Sequence, residues 1–326
     1  MTTEIKATRG PRNAVDITRP DACFIEEERA ESGGRVSVAT LFLTNRECPW
    51  RCLYCDLWKN TTTETVPLGA IPSQIDFALN QLAAALCSQI KLYNAGSFFD
   101  PKAIRPEEFP AIADRVRRFE RVIVECHPAL VGDSVLRFRN LLGSSSSTVA
   151  KLEVAMGLEI ADDAILARLN KRMTLALFRR AAEFLTRHDI GVRVFVIVKP
   201  PFVRTEAEAL EFARRSIDFA FECGAGVVSL IPARFGPAAL DELAARGDFA
   251  PPSLATLEAA LDYGVSLRRG RVFADLWDAE NLSKCPDCFP ARRQRLARIN
   301  FNQAAEPSVP CPCVCLPRRA GVPVES

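Results

Sequence analysis

Six short runs rich in Val, Ile, Leu and Phe recur along the chain, at 36–44 (VSVATLFLT), 90–93 (IKLY), 121–126 (RVIVEC), 151–158 (KLEVAMGL), 192–198 (VRVFVIV) and 227–231 (VVSLI). Most are nearly continuous in apolar character, the pattern of strands covered on both faces. Between them lie stretches of helical period at 73–88, 107–119, 174–187 and 205–222, and Thr205 with Glu208 forms a capping-box signature at the start of the last. Strand–helix alternation of this kind predicts a parallel sheet covered by helices. Right-handed crossovers would curl six such units into a partial (β/α)6, TIM-like barrel within the α/β class. A flat, doubly wound sheet is the alternative.

The ends differ from this middle. Residues 1–35 mix Pro, Gly and charge and form an N-terminal lead-in, 36–275 carry the barrel, and 276–326 form a Cys-rich C-terminal extension in which Pro, Cys and Arg rise and periodicity fades. The SSSS at 144–147 is a short polar loop.

Composition narrows the chemistry. The chain has 326 residues, 48% hydrophobic and 25% charged, with net charge +2. That is ordinary globular composition without a global field of either sign. No apolar run is long enough to cross a membrane and the N-terminus lacks a secretory h-region, so a cytoplasmic location and no membrane partner are expected. There are 12 cysteines but only two histidines, His127 and His188. Clustered cysteines without an export signal point to metal rather than to disulfides.

The densest cluster directly follows the first predicted strand: Cys48-Pro49-Trp50-Arg51-Cys52-Leu53-Tyr54-Cys55, a C-x3-C-x2-C loop. Three thiolates this close can hold three corners of a [4Fe–4S] cube, which normally takes four, leaving one iron open to an outside ligand. The loop leaves its strand at the C-terminal end, where barrel active sites lie. A zinc loop or a plain electron-transfer loop is the other use of such spacing.

This segment, including the aromatic Tyr54 before the third cysteine, resembles the signature of the radical S-adenosylmethionine (radical SAM) enzymes. The resemblance implies a [4Fe–4S] cluster on Cys48, Cys52 and Cys55, with S-adenosylmethionine chelating the open iron and an electron donor such as flavodoxin or ferredoxin. It implies reductive cleavage of S-adenosylmethionine to a 5′-deoxyadenosyl radical. Further segments are similar to the branch of the elongator catalytic subunit and of archaeosine synthesis. In that likeness Asn94-Ala95-Gly96-Ser97 is the turn binding the cofactor's amino group, Glu159 contacts its ribose, and Lys171 or Arg172 meets its carboxylate. Tyr54 joins this cofactor-binding set. Lys199, before two prolines, either faces substrate or cofactor or forms a rim ion pair. Strand alternation puts Glu125 and His127 on one face and Cys126 on the other. His127 would then move a proton and Cys126 donate a hydrogen atom, or both simply pack. The likeness favours a tRNA base as substrate. Weak basicity favours a small molecule or peptide, and a non-catalytic redox sensor or docking module is the alternative from another class.

Cys285-Pro286-Asp287-Cys288 is a metal knuckle, and Cys311, Cys313 and Cys315 follow as CPCVC. They would hold either a structural zinc or an auxiliary Fe–S cluster, with disulfides or chance proximity as the remaining alternative. Between the two sets, Arg292, Arg293, Arg295 and Arg298 either grip RNA phosphates or line a solvated helix face. Cys23, Cys87 and Cys223 are expected to be small core residues.

Overall fold

The computed structural model describes residues 9–82, 86–143 and 150–311. Its centre is one eight-stranded sheet in sequential order, β1 Ala22–Arg29, β2 Arg35–Leu43, β3 Gln89–Asn94, β4 Arg121–Glu125, β5 Lys151–Glu159, β6 Gly191–Val198, β7 Val227–Pro232 and β8 Arg271–Ala274. β1 pairs antiparallel with β2 and every later pair is parallel. Sequential order is that of a curled half-barrel and excludes the doubly wound alternative, whose order reverses at a switch point. All six predicted strands are present.

Helices clothe the outer face: α1 Ala70–Gln81, α2 Phe109–Val116, α3 Asp133–Leu142, α4 Asp163–Arg168, α5 Leu175–Arg187 and α6 Glu206–Glu222, followed after β7 by α7 Ala238–Ala245, which packs instead on Ile197 beside Leu53 and Tyr54, then by α8 Leu254–Ser266 and α9 Phe289–Asn302. The Thr205–Glu208 capping box opens α6 as expected. Outward residues of the strands, such as Leu41, Leu92, Val124, Val154, Val196 and Val228, form one core with these helices.

The concave face is layered. At the N-terminal ends of the strands lies a buried ionic network, in which Arg193 binds Glu153 at 2.7 Å and Glu28 at 2.9 Å, while Lys91 pairs with Glu26 at 2.8 Å and with Glu28. Above it Phe42, Tyr93, Ile123, Ala155 and Phe195 make an apolar layer. The C-terminal rim above that carries the candidate site.

Two strands lie outside the six expected. β1 comes from the lead-in, and its Glu26 and Glu28 are the ionic partners just described. β8 is four residues long, and its free edge is occupied by side chains of α9. Asn300 both accepts from the Ala274 N–H and donates to the Ala274 carbonyl, each at 2.8 Å, and Gln303 does the same at Val272. The two amides stand in for a neighbouring strand and blunt the edge. The four arginines of α9 divide between its two faces: Arg292 and Arg295 are each 2% exposed and paired inward to Glu258 and Asp262, whereas Arg293 and Arg298 lie on the exposed face, Arg298 beside Glu306. Among the described residues no helix is long and apolar enough to cross a membrane.

Candidate functional site

The loop after β2 carries Cys48, Cys52 and Cys55 at the C-terminal rim of the sheet. The segment 168–173 clasps it. Asn170 donates to the Trp50 carbonyl at 3.0 Å and to the Arg51 carbonyl at 2.9 Å, and the Leu53 N–H donates to the Leu169 carbonyl at 2.9 Å. Asn170 holds φ +54° to do so, a left-handed conformation that asparagine tolerates better than most residues. Cysteine spacing does not reveal this clasp, and Asn170 is absent from the residues singled out by sequence.

Lys171 follows at once. Its ammonium binds Glu159 at 2.5 Å, and both side chains are buried. Glu159 ends β5 at φ +66°, beyond a break in strand register at Gly157. Gly157 is required by this pair, because a Cβ there would lie 2.0 Å from the Glu159 Oε1 and 2.6 Å from the Lys171 Nζ. Tyr54 faces Glu159 and Cys52, and desolvation, with those acids beside it, pushes its hydroxyl pKa up. Arg172 is exposed at φ +55°, with its Nε on the Asn170 Oδ1 at 2.8 Å.

The β3 turn lies against the same loop. Gly96 takes φ +141°, and a Cβ on it would lie 3.1 Å from the Cys48 Cβ, so the turn approaches the first cysteine as only glycine permits. Phe98 and Phe99 anchor the turn by packing with Phe109 and Phe138. Asn94 is 2% exposed, and both polar atoms of its side-chain amide are buried without a partner. The Ser97 hydroxyl accepts from the His127 N–H at 3.3 Å.

His127 stacks on Trp50, centroids 4.0 Å apart. Its Nδ1 accepts from the Ala129 N–H and its Nε2 meets the Lys171 carbonyl, both at 3.1 Å, a pairing that assigns the proton to Nε2. Burial first, then the Lys171 charge, pull its pKa down to about 4, so the ring is neutral at pH 7. Cys126 is 3% exposed, lies in the outer core, and directs its Sγ to the His127 carbonyl; burial pushes its pKa up to about 12. The two side chains point to different compartments. Lys199 forms a rim ion pair with Glu206.

Sequence reasoning passed over Glu125 as a site residue. It accepts from the Asn94 N–H at 3.2 Å. Burial, reinforced by Glu159, lifts its pKa to about 7 against the pull of the Asn94 N–H and Lys171. Its position on the same face as His127 is the available signal.

The three thiols fit an iron–sulfur cluster. Burial, as the main cause, raises Cys48 to about 11 and lifts Cys52 and Cys55 as well. The Cys52 charge adds to the rise at Cys48 and Cys55, Glu159 adds to that at Cys52, and Lys171 opposes the rise at Cys48 and Cys52. Such crowding calls for a cationic centre to hold the thiolates. Among the described residues the group of ligand atoms that all converge within 4.8 Å is instead Cys285, Cys288 and Cys311. That closeness suits a single ion. The sulfurs of Cys48, Cys52 and Cys55 do not form such a group, and thiolates on separate irons of a cube need not. Cys311 is disulfide-bonded in this structure, so it would join such an ion only when reduced. Cys313 and Cys315 lie outside the described residues.

No protein-family model matches the chain. It is 22% identical over 324 residues to an uncharacterized protein of Methanocaldococcus jannaschii, covering 93% of this chain and 87% of that one. It is 28% identical over 196 residues to archaeosine synthase subunit beta of Methanosarcina acetivorans, so the match spans 57% of this chain and only 55% of that protein. Similar solved structures include the radical SAM methyltransferase TsrM of Kitasatospora setae (17% identity, TM-score 0.45, 63% of this chain and 38% of that one). They include Elp3 of Methanocaldococcus infernus (14%, 0.47, 62% and 51%). Another is HemN, the coproporphyrinogen III oxidase of Escherichia coli (12%, 0.44, 82% and 55%). TsrM and HemN are radical SAM enzymes, the class that the cysteine loop resembles.

Proposed function

We propose that the chain is a radical SAM enzyme that modifies a tRNA base. The carrying observation is one loop of three cysteines at the rim of a half-barrel, clasped by Asn170 and bordered by the Lys171–Glu159 pair and an unpartnered Asn94 amide. Cys48, Cys52 and Cys55 would hold a [4Fe–4S] cluster, and Asn94, Gly96, Ser97, Tyr54, Glu159, Lys171 and Arg172 would line the S-adenosylmethionine beside it. Bound there, the cluster would supply an electron to the cofactor, whose cleavage would supply the radical that takes hydrogen from substrate.

The chain's own residues do the positioning. Asn170 fixes the cysteine loop, and Gly96 lets the β3 turn reach it. Lys171 offers positive charge to thiolates and to a carboxylate. Glu125, with a pKa of about 7, can hold or release a proton facing the site. His127 holds the β4 end against the loop, and Cys126 packs behind it in the outer core. The Cys285–Cys288 knuckle would take zinc or an auxiliary cluster. The tRNA base is favoured by likeness to the archaeosine synthase subunit, and the electron would come from a flavodoxin or ferredoxin in the cytoplasm.

The test is anaerobic reconstitution with iron and sulfide, then reduction with S-adenosylmethionine present. The expected result is a brown protein that releases 5′-deoxyadenosine and methionine, lost in Cys52→Ala. Zinc in place of iron in this loop, or cofactor binding without cleavage, would overturn it. Mass spectrometry of tRNA nucleosides from cells with and without the protein tests the substrate.

A further inference from the structure

Residues 9–13 lie as a strap against the far side of the cysteine loop. The Asn13 N–H donates to the Lys59 carbonyl at 2.9 Å, and its side chain meets Asn60 at 2.6 Å. Between strap and loop is an open pocket of about 400 Å³ lined by Arg9, Arg12, Glu47, Arg51 and Trp58, with Gly10 and Pro11 along its edge. Glu47 and Arg51 bracket Cys48 in sequence.

Among the described residues the charges in this cavity do not balance. Arg9 and Arg51 share the Glu47 Oε1, the latter at 3.4 Å, and Arg12 takes Oε2. Three guanidinium groups against one carboxylate leave two positive charges, on side chains from 13% to 27% exposed. Clustered cations that are largely withdrawn from water are costly unless an anion compensates them. The Arg12 Nε is buried and has no partner. Arg9 is also held over the ring of Trp58 at 4.8 Å, which fixes its donors. A Cβ on Gly10 would meet nothing within 4 Å, so space remains beside the strap.

We infer that the cavity between the N-terminal strap and the cysteine loop is a phosphoryl-binding site, formed by Arg9, Arg12 and Arg51. Two surplus charges match a dianionic phosphate, and planar guanidinium forks suit its oxygens. Glu47 holds the forks apart and in register. The phosphate could be free, on a nucleotide, or in an RNA backbone. The inference does not depend on radical chemistry, because the site lies on residues that flank the thiols.

Calorimetric titration of the full chain with inorganic phosphate, at fixed ionic strength in chloride, tests it. Saturable binding is expected, weakened about tenfold or more in Arg12→Gln, as for loss of a charge-assisted hydrogen bond. Arg9→Gln should behave alike, and Glu47→Gln should tighten binding. Thermal melts verify that each variant is folded. Absence of saturable binding, or unchanged affinity in both folded arginine variants, would overturn the inference. Competition by uridine 5′-monophosphate alone identifies a nucleotide, competition by single-stranded RNA as well identifies a backbone phosphate, and competition by neither identifies the free anion; each of the three sustains the site. Cofactor cleavage measured on the same samples fails or survives separately.

Discussion

The imidazole of His127 lies flat on the indole of Trp50, with planes 11° from parallel. The stack joins the end of β4 to the cysteine loop, and hydrogen bonds on both ring nitrogens join it to the backbone. It is a neutral wedge, and protonation would break the bond that Nδ1 accepts.

That wedge has a pH signature. The folded pKa of about 4 lies below the ordinary 6.5. The unfolded chain therefore binds the proton first as pH falls. The His127 contribution to stability is complete above pH 6.5 and is lost as pH drops toward 4. Urea denaturation across this range should show the loss in the parent chain and a flatter profile in His127→Gln.

A second acid limb comes from the floor of the half-barrel. Burial alone would raise the Glu28 carboxyl, but Arg193 and Lys91 outweigh it and hold it far below 4.5. A depressed carboxylate contributes stability above its unfolded pKa and loses it as pH falls below about 4.5. Glu28→Gln should lower stability at pH 7 and weaken the pH dependence below 4.5, read by the same denaturation series.

Asn170→Ala removes two hydrogen bonds to the cysteine loop and places alanine at φ +54°. A loss of about 2 kcal/mol in stability is expected, with fewer irons per chain after reconstitution. Asn170→Gly retains the backbone freedom without the bonds, so its iron content should stay low while part of the stability returns. Iron assay and thermal melts on both variants decide the point.

Gly157→Ala pushes a methyl group into the Lys171–Glu159 pair. Both atoms it meets are the far ends of flexible side chains, so the fold should survive with a melting temperature within a few degrees of the parent. Iron uptake should be intact, while S-adenosylmethionine cleavage falls about tenfold or more through loss of orientation. Equal cleavage in both proteins would show that the pair is not part of the site.

The six central strands were legible because their outward residues form unbroken apolar rows, and the few charges on them, such as Lys91, Glu153 and Arg193, stand singly between apolar neighbours. β1 was not, because Glu26 and Glu28 turn inward to Lys91 and Arg193, and a strand with inward acids looks like a polar lead-in. β8 is too short for a pattern, and α9 lost its apolar period because Arg292 and Arg295 occupy its buried side. At the site, cysteine spacing marked the loop, since the chemistry is local in sequence. Asn170 was hidden because its work is done across 119 residues, at the Arg51 carbonyl, by a side chain that reads as an ordinary helix end. The Cys126-His127 pair invited a chemical reading from residue type alone, whereas packing sends the thiol to the outer core and ties both nitrogens of the ring to the backbone.

The ionic floor beneath the aromatic layer has a bearing on traffic. With Glu28, Lys91, Glu153 and Arg193 locked together, the end of the sheet opposite the cysteines is plugged by paired, buried charge. Were a short-lived reactive species made at the rim, it would have a wall of salt, not an open drain, behind it.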